Sequence, residues 1–217
     1  MPIDTFFTCT GDRAYALTFD DGPSANIPDL LEVLDKHGVK ATFFVVGANL
    51  EKSKSRQRLK AVHESGHSIA NHTYSHADLT KLTAGELVDE VERTRDLILE
   101  VLGSSPRLQE STRVVRPPFG YLDKSSHQAL RRNGFTAVLW NGDRYDWKIG
   151  EEQLIFDRIV QQLDYIADQH RRGIGVSRSI LDLNHDANLA TIAAIDRAIP
   201  VIERNGYEFV TLEQCLR

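Results

Sequence analysis

Short apolar runs alternate with longer amphipathic stretches along the chain, and glycine, asparagine or proline separates them. Ala14 to Phe19 is apolar, aromatic and Thr-containing, and reads as a buried strand that Gly22-Pro23 stops. Asp20 and Asp21 are thereby expected where a sheet opens into a loop. From Pro28, Leu30, Leu31 and Leu34 share one helical face up to His37-Gly38, where glycine suits a left-handed cap. Ala41 to Val46 is β-branched and aromatic without alternation, the pattern of a strand covered on both faces. Ser55 to Glu64 predicts a polar helix, and Ser68 to Asn71 a short strand leading into His72. Thr83-Ala84-Gly85-Glu86 has the form of a capping box, and Leu87, Val91, Thr94, Ile98 and Val101 follow at helical spacing until Gly103. Val114-Val115 starts a strand that enters Arg116, Ser125 to Arg132 makes a helix closed by Asn133-Gly134, and Thr136 to Leu139 is a strand delivering Trp140 to Asp143. An amphipathic segment from Glu151 to about His170, a strand at Ser179 to Leu183, a helix from Leu189 to Arg204 and a strand at Glu208 to Leu212 complete the pattern.

No Pro/Ser-rich linker, repeat or low-complexity tract interrupts this order, so residues 1–217 read as a single α/β domain. About seven strands alternating with helices fit a distorted (β/α) barrel of parallel strands better than a small doubly wound sheet. In such a barrel all strand C-termini face one rim. Strand after strand ends here in a polar group: Asp20-Asp21, His72, Arg116, Asp143 and Asp146, and His185. That regularity predicts an active site at the C-terminal rim.

The composition, 41% hydrophobic and 26% charged over 217 residues, is that of an ordinary globular chain. A net charge of -5 argues against nucleic acid or an anionic membrane as the partner and favours a neutral or cationic substrate. No apolar run has the length of a membrane span, and a monomer is expected. Met1-Pro2-Ile3-Asp4 lacks the regions of a secretory signal, so the expected location is cytoplasmic if Met1 is native and secreted or wall-associated if a signal was trimmed. Cys9 and Cys215 lie near opposite ends; they suit either a bridge closing almost the whole chain or two free thiols in a reducing compartment.

Two adjacent carboxylates repel, and keeping both near an interior calls for a cation or a proton. Asp20 and Asp21 therefore suit one general base beside one metal ligand, or else a solvated turn acid beside a helix N-cap. His72 and His76 lie four residues apart, which on a helical turn points both imidazoles one way at metal-binding separation; solvated or core pairs show the same spacing. With Asp21 they would make a His2Asp set that leaves a coordination position for water. Arg116 is either a surface arginine at a strand end or the group that holds Asp20 ionised. Asp146, beside Trp147, is either a loop acid or the partner that orients and charges His185 as a proton donor. On a period of two, Leu181, Leu183 and His185 share one strand face, and Asp182 and Asn184 the other.

Five segments in order, Thr18-Phe19-Asp20-Asp21, His72-Thr73-Tyr74-Ser75-His76, Arg116-Pro117-Pro118-Phe119-Gly120, Asp143-Arg144-Tyr145-Asp146-Trp147 and Leu181-Asp182-Leu183-Asn184-His185, resemble the motifs of the polysaccharide deacetylase family. This is the NodB-homology group, also called carbohydrate esterase family 4, and the likeness covers nearly the whole chain, with chain ends similar to those of fungal chitin deacetylases. The resemblance implies metal-dependent removal of the acetyl group from N-acetylglucosamine units of chitin or chito-oligosaccharides. It implies Asp20 as general base, Arg116 as its positioner, His185 as general acid tuned by Asp146, and Asp21, His72 and His76 as ligands of one divalent ion, most often zinc, with cobalt and others accepted. The Phe119 backbone amide would help bind the oxyanion, Trp147 and Leu183 would wall the acetyl pocket, and Cys9 and Cys215 would pair. Peptidoglycan or acetylxylan deacetylation, amide or imide hydrolysis on the same scaffold, and a non-catalytic carbohydrate-binding role are the alternatives that the motifs leave. Phe119 stands where many relatives carry tyrosine, and Asp182 where an apolar residue is common, on the face expected to touch the helices. The Asn71-His72-Thr73 sequon reads as accidental, because a ligand-bearing rim is a poor glycan acceptor.

Overall fold

In a computed structural model, which describes residues 5–217, the alternating pattern becomes a curled parallel sheet with helices around it. The Met1 to Asp4 start, on which the location was read, lies outside the described residues. The strands are β1 (Ala14–Ala16), β2 (Thr18–Gly22), β3 (Thr42–Val45), β4 (Ser68–Asn71), β5 (Val114–Val115), β6 (Thr136–Ala137), β7 (Gly142–Asp143), β8 (Ile180–His185) and β9 (Glu208–Val210). They pair in the order β6-β5-β4-β3-β2-β8-β1-β9, with β7 also on β8, and every ladder is parallel. β1 and β2 are one run interrupted at Leu17, and β6 and β7 are the two ends of the stretch 136–143. Along that stretch Leu139 N–H donates to Phe6 O at 2.8 Å and Asn141 N–H to Leu181 O at 3.1 Å. The run that ends the sheet at β6 thus meets β8 again through β7, and the sheet curls into the distorted barrel the pattern predicts without a continuous ladder between β6 and β8.

Period-two alternation separates the two faces of the first run. Tyr15, Leu17 and Phe19 join a buried layer with Leu30, Leu34, Leu59, Ile98, Ile159 and Ile195, whereas Ala14 and Ala16 lie with Phe44, Ala70, Val138 and Leu181. The alanines are small because this second cluster fills the narrow inside of the barrel. Helices α1 (Ile27–Lys36), α2 (Ser53–Glu64), α3 (Ala84–Leu102), α4 (Pro106–Ser111), α5 (Lys124–Arg132), α6 (Glu152–Arg171), α7 (Leu189–Arg204) and α8 (Leu212–Cys215) complete the chain. α7 buries Ile192, Ile195, Ile199 and Ile202 at spacings of three and four, each side chain contributing about 1.5–3 kcal/mol. α3 begins with the expected box: Thr83 Oγ1 accepts from Glu86 N–H, and the Glu86 carboxylate accepts from Thr83 N–H.

Three features depart from the pattern. β2 runs through Asp20, Asp21 and Gly22 instead of ending at Phe19; Asp20 sits opposite His185 in the ladder, because a buried guanidinium compensates its charge. α4 and α8 are additional helices of under two turns, α4 opened by Ser105 capping Leu108 N–H with Pro106 in its first turn. Residues 72–78 are not helical. Below the sheet, Cys9 and Cys215 form a disulfide with Cα atoms 4.5 Å apart, and Thr10 N–H donates to Cys215 O at 2.9 Å.

Candidate active site

Asp20 and Asp21 are neighbours in sequence and occupy different environments. Asp20 is 2% exposed and its Oδ1 accepts from Arg116 Nη1 at 2.7 Å. The same nitrogen donates to Thr18 Oγ1 at 2.6 Å, and Thr18 in turn donates to the Asp182 carbonyl on β8. Arg116 follows β5, is wholly buried, and holds its guanidinium 4.1 Å above the Phe44 ring. Burial pulls its pKa down and the Asp20 charge resists that pull.

Asp21 takes φ 69°, which turns its side chain out of the strand alternation and leaves it 41% exposed. Its Oδ1 lies 3.3 Å from His72 Nε2 and 3.2 Å from His76 Nε2. The two imidazoles meet without a helical turn: Thr73 at φ 65° and His76 at φ 59° fold the segment back as a loop. One ligand atom from each of Asp21, His72 and His76 lies within 4.8 Å of the others, a separation suited to one metal ion. Two observations fit that use. Asp21 Oδ1 is buried with no donor aligned on it, and His72 Nδ1 sits 2.8 Å from Arg116 O. A carbonyl only accepts, so His72 carries a proton on Nδ1, and its neutral form, the one that binds a metal, presents a lone pair on Nε2. Burial raises the Asp21 pKa, but contacts with His72 and His76 and the charge of His185 outweigh it and hold the carboxyl well below the usual range.

Across the cavity, His185 leaves β8 with Nδ1 2.8 Å from Asp146 Oδ1 and Nε2 3.8 Å from Asp21 Oδ2. Asp146 is 1% exposed and fully occupied: it also accepts from His185 N–H at 2.7 Å, Trp147 N–H at 2.9 Å and Thr191 Oγ1 at 2.8 Å. Burial pulls the His185 pKa down, yet the Asp146 hydrogen bond and the charges of Asp146, Asp20 and Asp21 push it up to about 9.

Asp20, Asp21, His72, His76 and His185 line one cavity of about 400 Å³, whose apolar walls include Phe119, Trp147 and Leu183; Arg116 and Asp146 stand directly behind it. Every residue singled out for chemistry in the sequence is thus brought to one place. Tyr121, Trp140 and Asp143 line the same cavity, and Thr18 and Thr191 support it from behind. Thr191 lies in the first turn of α7 and carried no signal; Tyr121 follows directly on a motif and could have been found by extending it. Asp182 is buried on the opposite strand face, paired with Arg144 at 2.8 Å and Tyr15 Oη at 2.6 Å, with Arg144 continuing to Gln162 on α6. Asn71 is fully buried and donates to Val91 O at 2.7 Å, so the sequon offers no free acceptor. Phe119 at φ 59° and Tyr145 at φ 52° add two more left-handed residues at this rim; among the described non-glycine residues only Arg13, near the start of β1, has positive φ elsewhere.

The family model described as polysaccharide deacetylase matches residues 8–138. The chain belongs to that family. It is 29% identical over 204 residues to the peptidoglycan-N-acetylglucosamine deacetylase PgdA of Listeria monocytogenes, which covers 94% of this chain and 39% of that enzyme. It is 32% identical over 200 residues to the peptidoglycan-N-acetylglucosamine deacetylase of Bacillus cereus, 91% of this chain and 66% of the other. The chain therefore spans about two fifths of the Listeria enzyme and about two thirds of the Bacillus one. The structure of the chitin deacetylase from the fungus Colletotrichum lindemuthianum superposes with a TM-score of 0.84 at 25% identity, over 100% of this chain and 93% of that one. Bacterial peptidoglycan deacetylases stand beside a fungal chitin deacetylase among these relatives, so similarity does not single out the fungal type.

Proposed function

We propose that this chain is a metal-dependent deacetylase that hydrolyses the N-acetyl group of N-acetylglucosamine units in chitin or chito-oligosaccharides and releases acetate. The observation that carries the reading is the division of labour at β2, where Asp20 belongs to a buried arginine while Asp21 belongs to two imidazoles. Asp21, His72 and His76 would hold one divalent ion, with zinc the first candidate, and a bound ion of this kind acidifies water and polarises an amide carbonyl. Asp20, aimed by its hydrogen bond from Arg116, takes a proton from the attacking water. His185, kept charged by Asp146, gives a proton to the departing amine. Phe119, Trp147 and Leu183 line the cavity, where the Phe119 backbone N–H would help hold the developing oxyanion and Trp147 with Leu183 would wall the acetyl methyl.

The cavity lining supports a neutral sugar: among the described residues it is built from aromatic, aliphatic, acidic and imidazole side chains, with no lysine or arginine to pair with a substrate carboxylate. Peptidoglycan is the second reading, favoured by the activity that the names of the Listeria and Bacillus relatives state. Acetate release is to be measured on N-acetylchitohexaose, acetylxylan and peptidoglycan fragments, before and after chelation and with zinc restored. Turnover of the chito-oligosaccharide that vanishes on chelation and returns with zinc supports the reading. Full activity in the metal-free chain overturns the mechanism, and exclusive turnover of peptidoglycan overturns the substrate.

A further inference from the structure

The loop between His72 and His76 cannot satisfy its own backbone. In a helical turn the amides of residues 74 and 75 would bond to carbonyls four residues earlier, but those residues lie in β4 and its ladder. With Thr73 and His76 left-handed, the amides of Tyr74 and Ser75 are directed together, out of the loop, as a small concave donor pair. One side chain accepts both. Glu90, half-buried on α3, receives Tyr74 N–H at 2.9 Å and Ser75 N–H at 2.7 Å on Oε2, and Ser75 Oγ at 2.8 Å on Oε1.

The loop carbonyls are gripped from the other side. Gly47 N–H donates to Thr73 O and Ala48 N–H to Tyr74 O, both at 2.9 Å, and Thr73 N–H is taken by Asn71 Oδ1 at 2.9 Å. The approach at Gly47 is close: a Cβ there would lie 2.6 Å from Thr94 Oγ1, and Thr94 itself bonds back to the Glu90 carbonyl. The carbonyls of Thr73 and Tyr74 and the amides of Tyr74 and Ser75 are therefore clamped between the 47–48 turn and Glu90, and His72 and His76 are the two ends of the clamped piece.

We infer that Glu90 is a positioning residue for the Asp21, His72 and His76 ligand set, fixing the distance between the two imidazoles through the backbone of Tyr74 and Ser75 and not through its charge. This rests on the metal-binding reading above. A carboxylate accepting two backbone amides and a hydroxyl sets loop shape; supports of this kind one step removed from the ligands are worth roughly 10- to 100-fold in metal affinity.

The test separates geometry from charge. Zn2+ affinity of the chelator-stripped chain is measured by competition with a chromophoric chelator, alongside thermal unfolding without metal. Glu90→Asp keeps the charge but is one methylene too short to hold both amides, and is expected to weaken Zn2+ binding by roughly 10-fold or more. Glu90→Gln loses the charge but keeps a carbonyl oxygen at the same reach, and is expected to stay within about threefold of the wild type, a bound set well below the roughly 10-fold cost of losing such a support. Asp89→Asn, on the same helix without contact to the loop, serves as the charge control and should bind as the wild type does. The opposite order, with Glu90→Asp intact and Glu90→Gln weakened, overturns the inference in favour of a field effect. Equal affinity in all four proteins overturns it outright. A wild-type chain that does not retain Zn2+ overturns the metal reading itself, and this inference with it.

Discussion

Arg116 and Asp20 meet at 2.7 Å where both are almost wholly out of water, and that contact separates the two adjacent acids of β2. Asp20 is compensated from inside the barrel, and although its Oδ2 lies 3.8 Å from His72 Nε2, Asp21 makes the closer approach to both ligand imidazoles. Truncating Arg116 to alanine leaves a buried carboxylate unpaired, at a cost of about 3–5 kcal/mol. Urea unfolding of Arg116→Ala should show a loss of that size, and a change under 1 kcal/mol would contradict the pairing.

The same separation predicts that binding and turnover can be lost independently. Asp20→Asn should retain zinc, read by metal analysis after gel filtration, and lose roughly 10²- to 10⁴-fold in turnover. His76→Ala should lose both. Parallel loss of zinc in both variants would mean that the acids share one task.

His185 gives a pH dependence whose sign is fixed. Its pKa in the folded chain is raised to about 9, above the ordinary value of 6.5. The protonated form is therefore favoured by folding, and the resulting stability is fully present below pH 6.5 and lost as the pH rises through 9. The difference amounts to about 3 kcal/mol. In the metal-free chain, stability measured by denaturant should fall across this window, and Asp146→Asn should flatten the fall by removing the carboxylate that charges the ring. An unchanged profile in that variant would count against Asp146 as the cause.

The Cys9–Cys215 disulfide closes a loop of 206 residues in sequence separation and is almost wholly buried. By the chain-entropy estimate it stabilises the fold by about 5 kcal/mol. Mild reductant should leave it intact in the folded chain, and thiol titration should detect two groups only in chain that was unfolded in that reductant and then freed of it. Cys215→Ser should lower the melting temperature without altering zinc affinity, since the bridge lies below the sheet and the ligands above it.

How far the site could be read in advance depended on whether one residue's surroundings were local. Along β8 the alternation of Leu181, Leu183 and His185 against Asp182 and Asn184 was legible, because strand geometry alone fixes it. The capping box of α3 was legible for the same reason. The course of β2 was not: two acids look like the end of a strand, and only Arg116, 96 residues away in sequence, makes Asp20 tolerable inside it. The spacing of His72 and His76 suggested a helix because four residues make about one turn, yet two left-handed residues bring the rings together equally well. Thr191 sits among the alanines and isoleucines that open α7 and Glu90 among ordinary polar residues of α3, and nothing nearby in sequence marks either for the site.

The left-handed residues at the rim carry a consequence for any effort to make the protein more heat-resistant. Asp21, Thr73, His76, Phe119 and Tyr145 each hold a conformation that glycine or asparagine would adopt more easily, at a strain on the order of 1–3 kcal/mol apiece. A selection for melting temperature alone would accumulate replacements at these five positions, and the same replacements would dismantle the rim. Thermostability and turnover are set against each other here by the backbone itself, and a stabilised variant that still works must gain its stability in the helical layer.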